Sequence, residues 1–285
     1  QGGVETHCEE LYPRLAAMGH DVTVVRRSCY VTPQNKIKEY KGVHLKDIYA
    51  PRRKSIEAIV HTFLAIIYAR WVGADVLHIH AIGPALLIPL ARLLGLRVVM
   101  THHGPDYDRQ KWNKTAKSVL RWGERMGANY ANEVIVISTV IDNILREKYD
   151  RTDAHLIYNG VNKPVPAKDD SYIRSLGLTP RRYVLAVGRF VEEKGFDILI
   201  KAFARISDSN CKLVIAGDAD HEDHYSVSLK WLAEEHHVVL LQQELFIFIL
   251  IVDQDEPYAP ADQEKQIVVA EPLAAPFAAA FNLVT

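Results

Sequence analysis

Cysteine is scarce in this chain of 285 residues: three stand in all, Cys8, Cys29 and Cys211, scattered and without the paired spacing of a zinc or redox motif. A disulfide scaffold is excluded, and the thiols read as reduced, in keeping with a cytoplasmic location. Long hydrophobic runs are equally lacking. The longest, residues 245–252, falls far short of the roughly 20 residues that span a bilayer, and no signal-peptide pattern opens the sequence. An excess of either charge is missing too, since the formal net charge is −1 with a pI near 7.0. Such a chain generates no global field to gather polyanions, so nucleic acid is excluded as an expected partner. Also absent is the full Gly-x-Gly-x-x-Gly fingerprint with an acidic residue about 20 positions on, which disfavours a dinucleotide-dependent dehydrogenase.

What the sequence does contain is an alternation. Val4, Cys8, Leu11, Leu15 and Met18 recur at steps of three and four, Gly19 stops the helix, and a β-branched strand follows at 22–25. A second helix is expected from Ser55 as N-cap, burying Ile59, Val60, Phe63 and Ile67, before a strand at 75–79. The same order continues with a helix at 84–94 stopped by Gly95, a strand at 97–101, a helix at 116–126 and a strand at 133–137. Ser138 then reads as the N-cap of another helix, ahead of a strand at 155–158. Continuous apolar strands separated by helices imply an α/β chain with parallel sheets covered on both faces.

The turn and Pro-punctuated stretch from Asn159 to Pro166 marks a domain boundary, giving domains at 1–165 and 166–285. The second repeats the logic of the first: strand 183–187, helix 196–206, strand 212–216, helix 226–235 and strand 238–241. Because the chain opens Gln-Gly-Gly and drops directly into a helix, an opening strand is expected to be missing. The polar and Ala/Pro-rich residues beyond Gln242 fit no element, so the second domain is expected to be incomplete.

Ligands of open parallel sheets bind at the carboxyl ends of the strands, where helix N-termini offer unpaired N–H groups to phosphate. Gly2 and Gly3, just before the first helix, would let a backbone approach a phosphate closely, although a tight strand-to-helix turn accounts for them as well. Val187-Gly188-Arg189 with Lys194-Gly195 is more specific. A strand ends at Gly188, and Arg189 and Lys194 can bracket a diphosphate ahead of a helix, the guanidinium as a bidentate fork and the ammonium as a mobile point charge. The competing account is a solvated basic loop.

In order and spacing, Gly2-Gly3-Val4-Glu5, Gly19-His20-Asp21-Val22, Ile157-Tyr158-Asn159-Gly160-Val161 and the Gly188 to Gly195 segment resemble the retaining glycosyltransferases of family 4, over residues 1 to about 240. The resemblance implies the GT-B fold, two Rossmann-like domains with parallel sheets facing across a cleft. It also implies sugar transfer from a nucleotide-sugar donor to a glycan or lipid-linked acceptor, with retention and without metal or other cofactor; UDP-sugars are the leading donor class. Gly2, Gly3 and Gly188 would face the donor, with Arg189 and Lys194 as diphosphate clamp. Thr101-His102-His103-Gly104 matches the family's segment whose histidine, here His103, sits beside the donor sugar. The family's carboxylate pair has several placements: Glu256 and Glu264 have the literal spacing, Gln263 aligns with the first member in another register, and Glu271 has the better context for the second. Acceptors of such enzymes point to bacterial surface polysaccharide synthesis, with peripheral contact at the inner face of the cytoplasmic membrane left open. Two alternatives remain: a non-catalytic nucleotide- or glycan-binding GT-B protein, and a sugar-nucleotide epimerase.

Other clusters read as structural. His78 and His80 alternate on one strand face and read as packing, His221 and His224 lack companion ligands, and Arg26-Arg27 with Arg52-Arg53-Lys54 make either a basic face for anionic lipid or a solvated loop.

Overall fold

The computed structural model describes residues 3–53, 56–109, 112–162, 169–206, 211–219, 222–241 and 266–270. Two compact units divide the chain, Gln1–Val161 with Glu256–Thr285 in one and Asn162–Asp255 in the other.

The first unit contains helices α1 (Gly3–Ala17), α2 (Glu57–Val72), α3 (Ile88–Leu93), α4 (Lys114–Tyr130) and α5 (Thr139–Tyr149). Its strands are β1 (Asp21–Arg27), β2 (Glu39–Tyr40), β3 (Val43–Ile48), β4 (Val76–His80), β5 (Val98–His102), β6 (Glu133–Val136) and β7 (His155–Leu156). They form one sheet in the order β2-β3-β1-β11-β4-β5-β6-β7, where β11 is Gln266–Ala270. Among the described residues, only β2 with β3 is antiparallel. Val24, Val25, Leu77, Ile79, Val98, Met100, Val134 and Val136 are buried at the sheet's centre, as expected of a parallel sheet covered on both faces. Ser138 caps α5 by accepting a hydrogen bond from the Ile141 amide at 3.3 Å, and Asn113 caps α4 likewise on Ala116 at 2.8 Å.

Three expectations are corrected here. α2 does not bury Ile59, Val60, Phe63 and Ile67; its inward face is Glu57, His61, Thr62, Ala65, Ile66 and Ala69, while Phe63 and Ile67 are each 44% exposed. Apolar residues surround this helix, so periodicity does not choose a face. A buried ion pair between Arg27 and Glu57, joined by Tyr30 at 3.0 Å, orients it instead.

Arg26 and Arg27 are likewise neither a lipid-facing patch nor a solvated loop. Arg26 is 5% exposed and donates to Asp47 at 2.9 Å and to the carbonyls of Asn35 and Ile37 at 3.0 and 3.1 Å. Fork-shaped guanidinium groups satisfied in this way can remain inside.

The segment at 266–270, assigned by chain order to the second domain, pairs in parallel with both β1 and β4. Ile267, Val268, Val269 and Ala270 make a continuous apolar run, the pattern a central parallel strand requires.

The second unit contains α6 (Ser171–Ser175), β8 (Tyr183–Val187), α7 (Phe196–Phe203), β9 (Lys212–Ala216), α8 (His224–Glu235) and β10 (Val239–Leu241). Its three strands are parallel in the order β10-β9-β8. Phe190, Phe196, Ile200, Leu213, Ile215, Leu229 and Ala233 form its core, in which α7 and α8 pack on the sheet.

Candidate functional site

Each unit carries a distinct constellation at the carboxyl end of its strands. In the first unit, β4 ends at His80, and Ala81 follows with φ +68°, a left-handed conformation that a non-glycine residue adopts at a cost. The Ala81 amide reaches the Thr101 carbonyl at 2.9 Å, tying the end of β4 to that of β5. β5 ends at His102, His103 follows, and Gly104 has φ +135°, which only glycine tolerates readily. The Gly104 amide donates to His102 Nδ1 at 3.1 Å, so His102 Nε2 carries the proton toward Glu124 Oε1 at 2.9 Å.

Glu124 is fully buried in α4 and also accepts hydrogen bonds from Tyr149 at 2.7 Å and Tyr107 at 3.1 Å. Burial opposes its charge, but the hydrogen bonds from His102, Tyr149 and Tyr107 together outweigh burial and hold the carboxyl below its usual range. Lys148 donates to the Tyr107 hydroxyl at 3.0 Å and completes the network. Its effect is to fix the tautomer and plane of His102, and with them the turn that presents His103.

His103 Nε2 lies 2.9 Å from His80 Nδ1, and the two rings stack with centroids 5.2 Å apart. Tyr12, buried on α1, places its hydroxyl between the rings of His78 and His80, 3.1 Å from His78 Nδ1 and in a short contact with His80 Nε2. His78 Nε2 meets Thr101 Oγ1 at 2.7 Å. His7, also on α1, meets Asn159 Oδ1 through Nδ1 at 3.1 Å. Desolvation above all, then the neighbouring imidazoles, lowers the pKa of His78 to about 3 and of His103 to about 4, and holds that of His80 well below the ordinary histidine value. These imidazoles are therefore neutral near pH 7: His103 offers a hydrogen bond rather than a charge.

In the second unit, backbone geometry shapes the loop after β8. A Cβ on Gly217 would stand 1.8 Å from the Gly188 carbonyl oxygen, and one on Gly188 would meet the Phe196 ring at 3.2 Å. The Gly188 amide donates to the Ala216 carbonyl, and that of Phe190 to the Asp218 carbonyl, both at 3.0 Å. Phe190 is fully buried and anchors the loop between the exposed Arg189 and Lys194. Gly195, left-handed at φ +62°, then starts α7. Gly188, Arg189 and Lys194 thus share one loop beside the start of α7, where the two cationic side chains can serve the same anion, while the Asp197 amide of that helix donates to the Tyr225 hydroxyl at 3.5 Å.

Of the other expected residues, Gly3 begins α1 with open space where a Cβ would be. Gly2, Glu256, Gln263, Glu264, Glu271 and His221 lie outside the described residues. Sequence reasoning missed His7, Tyr12, Asn159 as a side-chain partner, and Glu124. Glu124 did leave a signal, a carboxylate flanked by Gly123 and Gly127 on one helix. Gly123 is obligatory, because a Cβ there would fall 1.9 Å from the Ile82 carbonyl oxygen, whereas one at Gly127 would fall 2.2 Å from Met100 Sδ and require that side chain to move.

Residues 1–163 match the model of Glycosyltransferase Family 4, and residues 169–249 match Glycosyl transferases group 1. The chain belongs to glycosyltransferase family 4. It is 27% identical over 219 residues to a glycosyltransferase of Methanocaldococcus jannaschii, an alignment covering 75% of this chain and 56% of that protein. It is 30% identical over 186 residues to alpha-maltose-1-phosphate synthase of Mycobacterium tuberculosis, covering 60% and 48% respectively. The chain thus spans about half the length of these relatives. Among solved structures, sucrose-phosphate synthase from Thermosynechococcus elongatus superposes with a TM-score of 0.68 at 20% identity, covering 85% of this chain and 65% of that one. HepE of Anabaena in complex with UDP-glucose gives 0.59 at 16% identity, covering 80% and 70%. The fold class is GT-B, with Rossmann-like parallel sheets.

Proposed function

We propose that this chain transfers a sugar from a nucleotide-sugar donor to a glycan or lipid-linked acceptor. The observation that carries this reading is the loop after β8, in which Gly188, Arg189 and Lys194 meet the start of α7. In this account Arg189 and Lys194 take the donor diphosphate and stabilise the negative charge that grows as the bond from the anomeric carbon to phosphate breaks. His103, neutral and oriented through the His102–Glu124 pair, hydrogen-bonds a hydroxyl of the donor sugar. The acceptor oxygen bonds to the anomeric carbon on the face the nucleotide leaves, giving retention, while its proton passes to the departing phosphate. Family membership supports transfer, and the UDP-glucose complex of HepE favours a UDP-linked hexose. Gly2 and Gly3 are assigned to the donor side of the first unit, and Glu271 to the donor's hydroxyls. Surface polysaccharide synthesis is the setting that such acceptors suggest. No helix among the described residues is long and apolar enough to cross a membrane.

The test is turnover. Purified protein is incubated with UDP-, GDP-, dTDP- and ADP-sugars and a panel of glycan and polyprenyl-diphosphate acceptors, and products are read by mass spectrometry and NMR. Release of nucleotide together with an acceptor one sugar heavier, with unchanged anomeric configuration, is the expected result. An altered sugar nucleotide formed without acceptor would replace the transferase with an epimerase, and nucleotide binding without any product would leave a binding protein.

A further inference from the structure

Three imidazoles of the first unit converge from three elements: His7 from α1, His80 from the end of β4, and His103 from the turn after β5. One ligand nitrogen from each lies within 4.8 Å of the others. In a tetrahedral zinc site, with Zn–N bonds of 2.0–2.1 Å, ligand nitrogens stand about 3.3 Å apart. The His80 and His103 nitrogens are already 2.9 Å apart, and the His7 nitrogen lies within 4.8 Å of both, so a small displacement of the His7 ring closes the set.

We propose that His7, His80 and His103 bind a single transition-metal ion of the zinc class, with water in the fourth position. The orientation of the His7 and His80 rings favours this over simple packing. His7 Nε2 is buried without a hydrogen-bond partner while its Nδ1 is held by Asn159 at 3.1 Å, which leaves one nitrogen costly and unused. His80 is held through Nε2 by the Tyr12 hydroxyl, which leaves Nδ1 turned toward His103. A polar partner on the far nitrogen is the outer-shell arrangement that orients metal-binding histidines. His78 is not a ligand, because Tyr12 and Thr101 occupy its two nitrogens at 3.1 and 2.7 Å. Cys8 Sγ lies 3.9 Å from His80 Nε2, on the Tyr12 side of that ring, and is not a ligand either. Burial keeps His80 and His103 neutral, the form in which imidazole binds metal.

If His103 serves the donor sugar as proposed above, this ion is an inhibitor rather than a cofactor. The binding test does not depend on that role, because it uses no donor. Metal-free protein is titrated with Co2+, read by its visible d–d absorption, and with Zn2+ by calorimetry. The variants are His7→Ala and His103→Ala, with His44→Ala as an exposed control and thermal melts to establish folding. One ion per chain is expected, with a tetrahedral cobalt spectrum, affinity reduced more than about 100-fold by loss of either ligand, and no change in the control. Failure of the folded wild type to bind either ion, or binding that survives in a folded His7→Ala or His103→Ala protein, would overturn the site.

Discussion

The two strand-end constellations solve opposite electrostatic problems. In the first unit, polar groups are buried and kept neutral, or paired so fully that a carboxylate survives inside the fold, as Glu124 does with His102, Tyr107 and Tyr149. In the second, the charged groups are exposed at Arg189 and Lys194, and the burial is done by Phe190 and by the close backbone approach of Gly188 and Gly217. Orientation is thus secured by side-chain networks in one unit and by backbone contacts in the other. Removing a functional side chain should therefore cost stability in the first unit and only affinity in the second.

The largest effect expected is at the glycines. Gly123→Ala forces a methyl against the Ile82 carbonyl, and Gly217→Ala places one against the Gly188 carbonyl at a φ of +153°. Each should cost about 3 kcal/mol or more, measured by chemical denaturation, because backbone rather than a flexible side chain must yield. Glu124→Ala comes next, with a loss of about 3 kcal/mol as His102 and two tyrosine hydroxyls lose their shared acceptor. A loss below 1 kcal/mol there would mean that the network does not organise the unit. Arg189→Ala with Lys194→Ala should leave the melting temperature within about 1 °C, since both side chains are exposed, while weakening donor binding by about 100-fold or more.

The pH response sharpens the same contrast. His78 and His103 have folded pKa values lowered to about 3 and about 4, so the unfolded chain binds protons first as pH falls below about 6.5. Stability of the first unit should therefore be full above that pH and fall between about 6.5 and 4, by on the order of 1 kcal/mol per pH unit for a buried histidine. Glu124, its pKa lowered, adds a loss at more acid pH, from the unfolded carboxylate value near 4.3 down through its folded value. The second-unit loop contains no titrating histidine and should show no such slope between pH 6.5 and 4. Hydrogen exchange of the two units across this range separates them.

The alternation of strands and helices was legible because parallel strands buried on both faces leave continuous apolar runs, as at 98–100 and 213–216. The Gly188 to Gly195 loop was legible because its glycines and cations are close in sequence. What escaped was whatever depends on distant pairing. The inward face of α2 is chosen by Arg27, thirty residues before Glu57, and the central place of β11 joins residues near 22 and 77 to residues near 268. The histidine cluster was half legible: His103 came from a local motif, whereas His7, Tyr12 and Asn159 meet it only through the fold. Polar residues carry no periodic signal of burial, so the flanking Gly123 and Gly127 are what marks Glu124 among the charged neighbours of α4.

The central claim is that Arg189 and Lys194 hold a nucleotide diphosphate. Calorimetric titration of UDP, GDP, dTDP and ADP into the wild type and into the Arg189→Ala/Lys194→Ala double variant tests it most directly. The account predicts preference for one nucleotide, with binding reduced about 100-fold or more in a variant that melts like the wild type. Equal affinity in the two proteins, or no binding of any nucleotide by folded wild type, would contradict it.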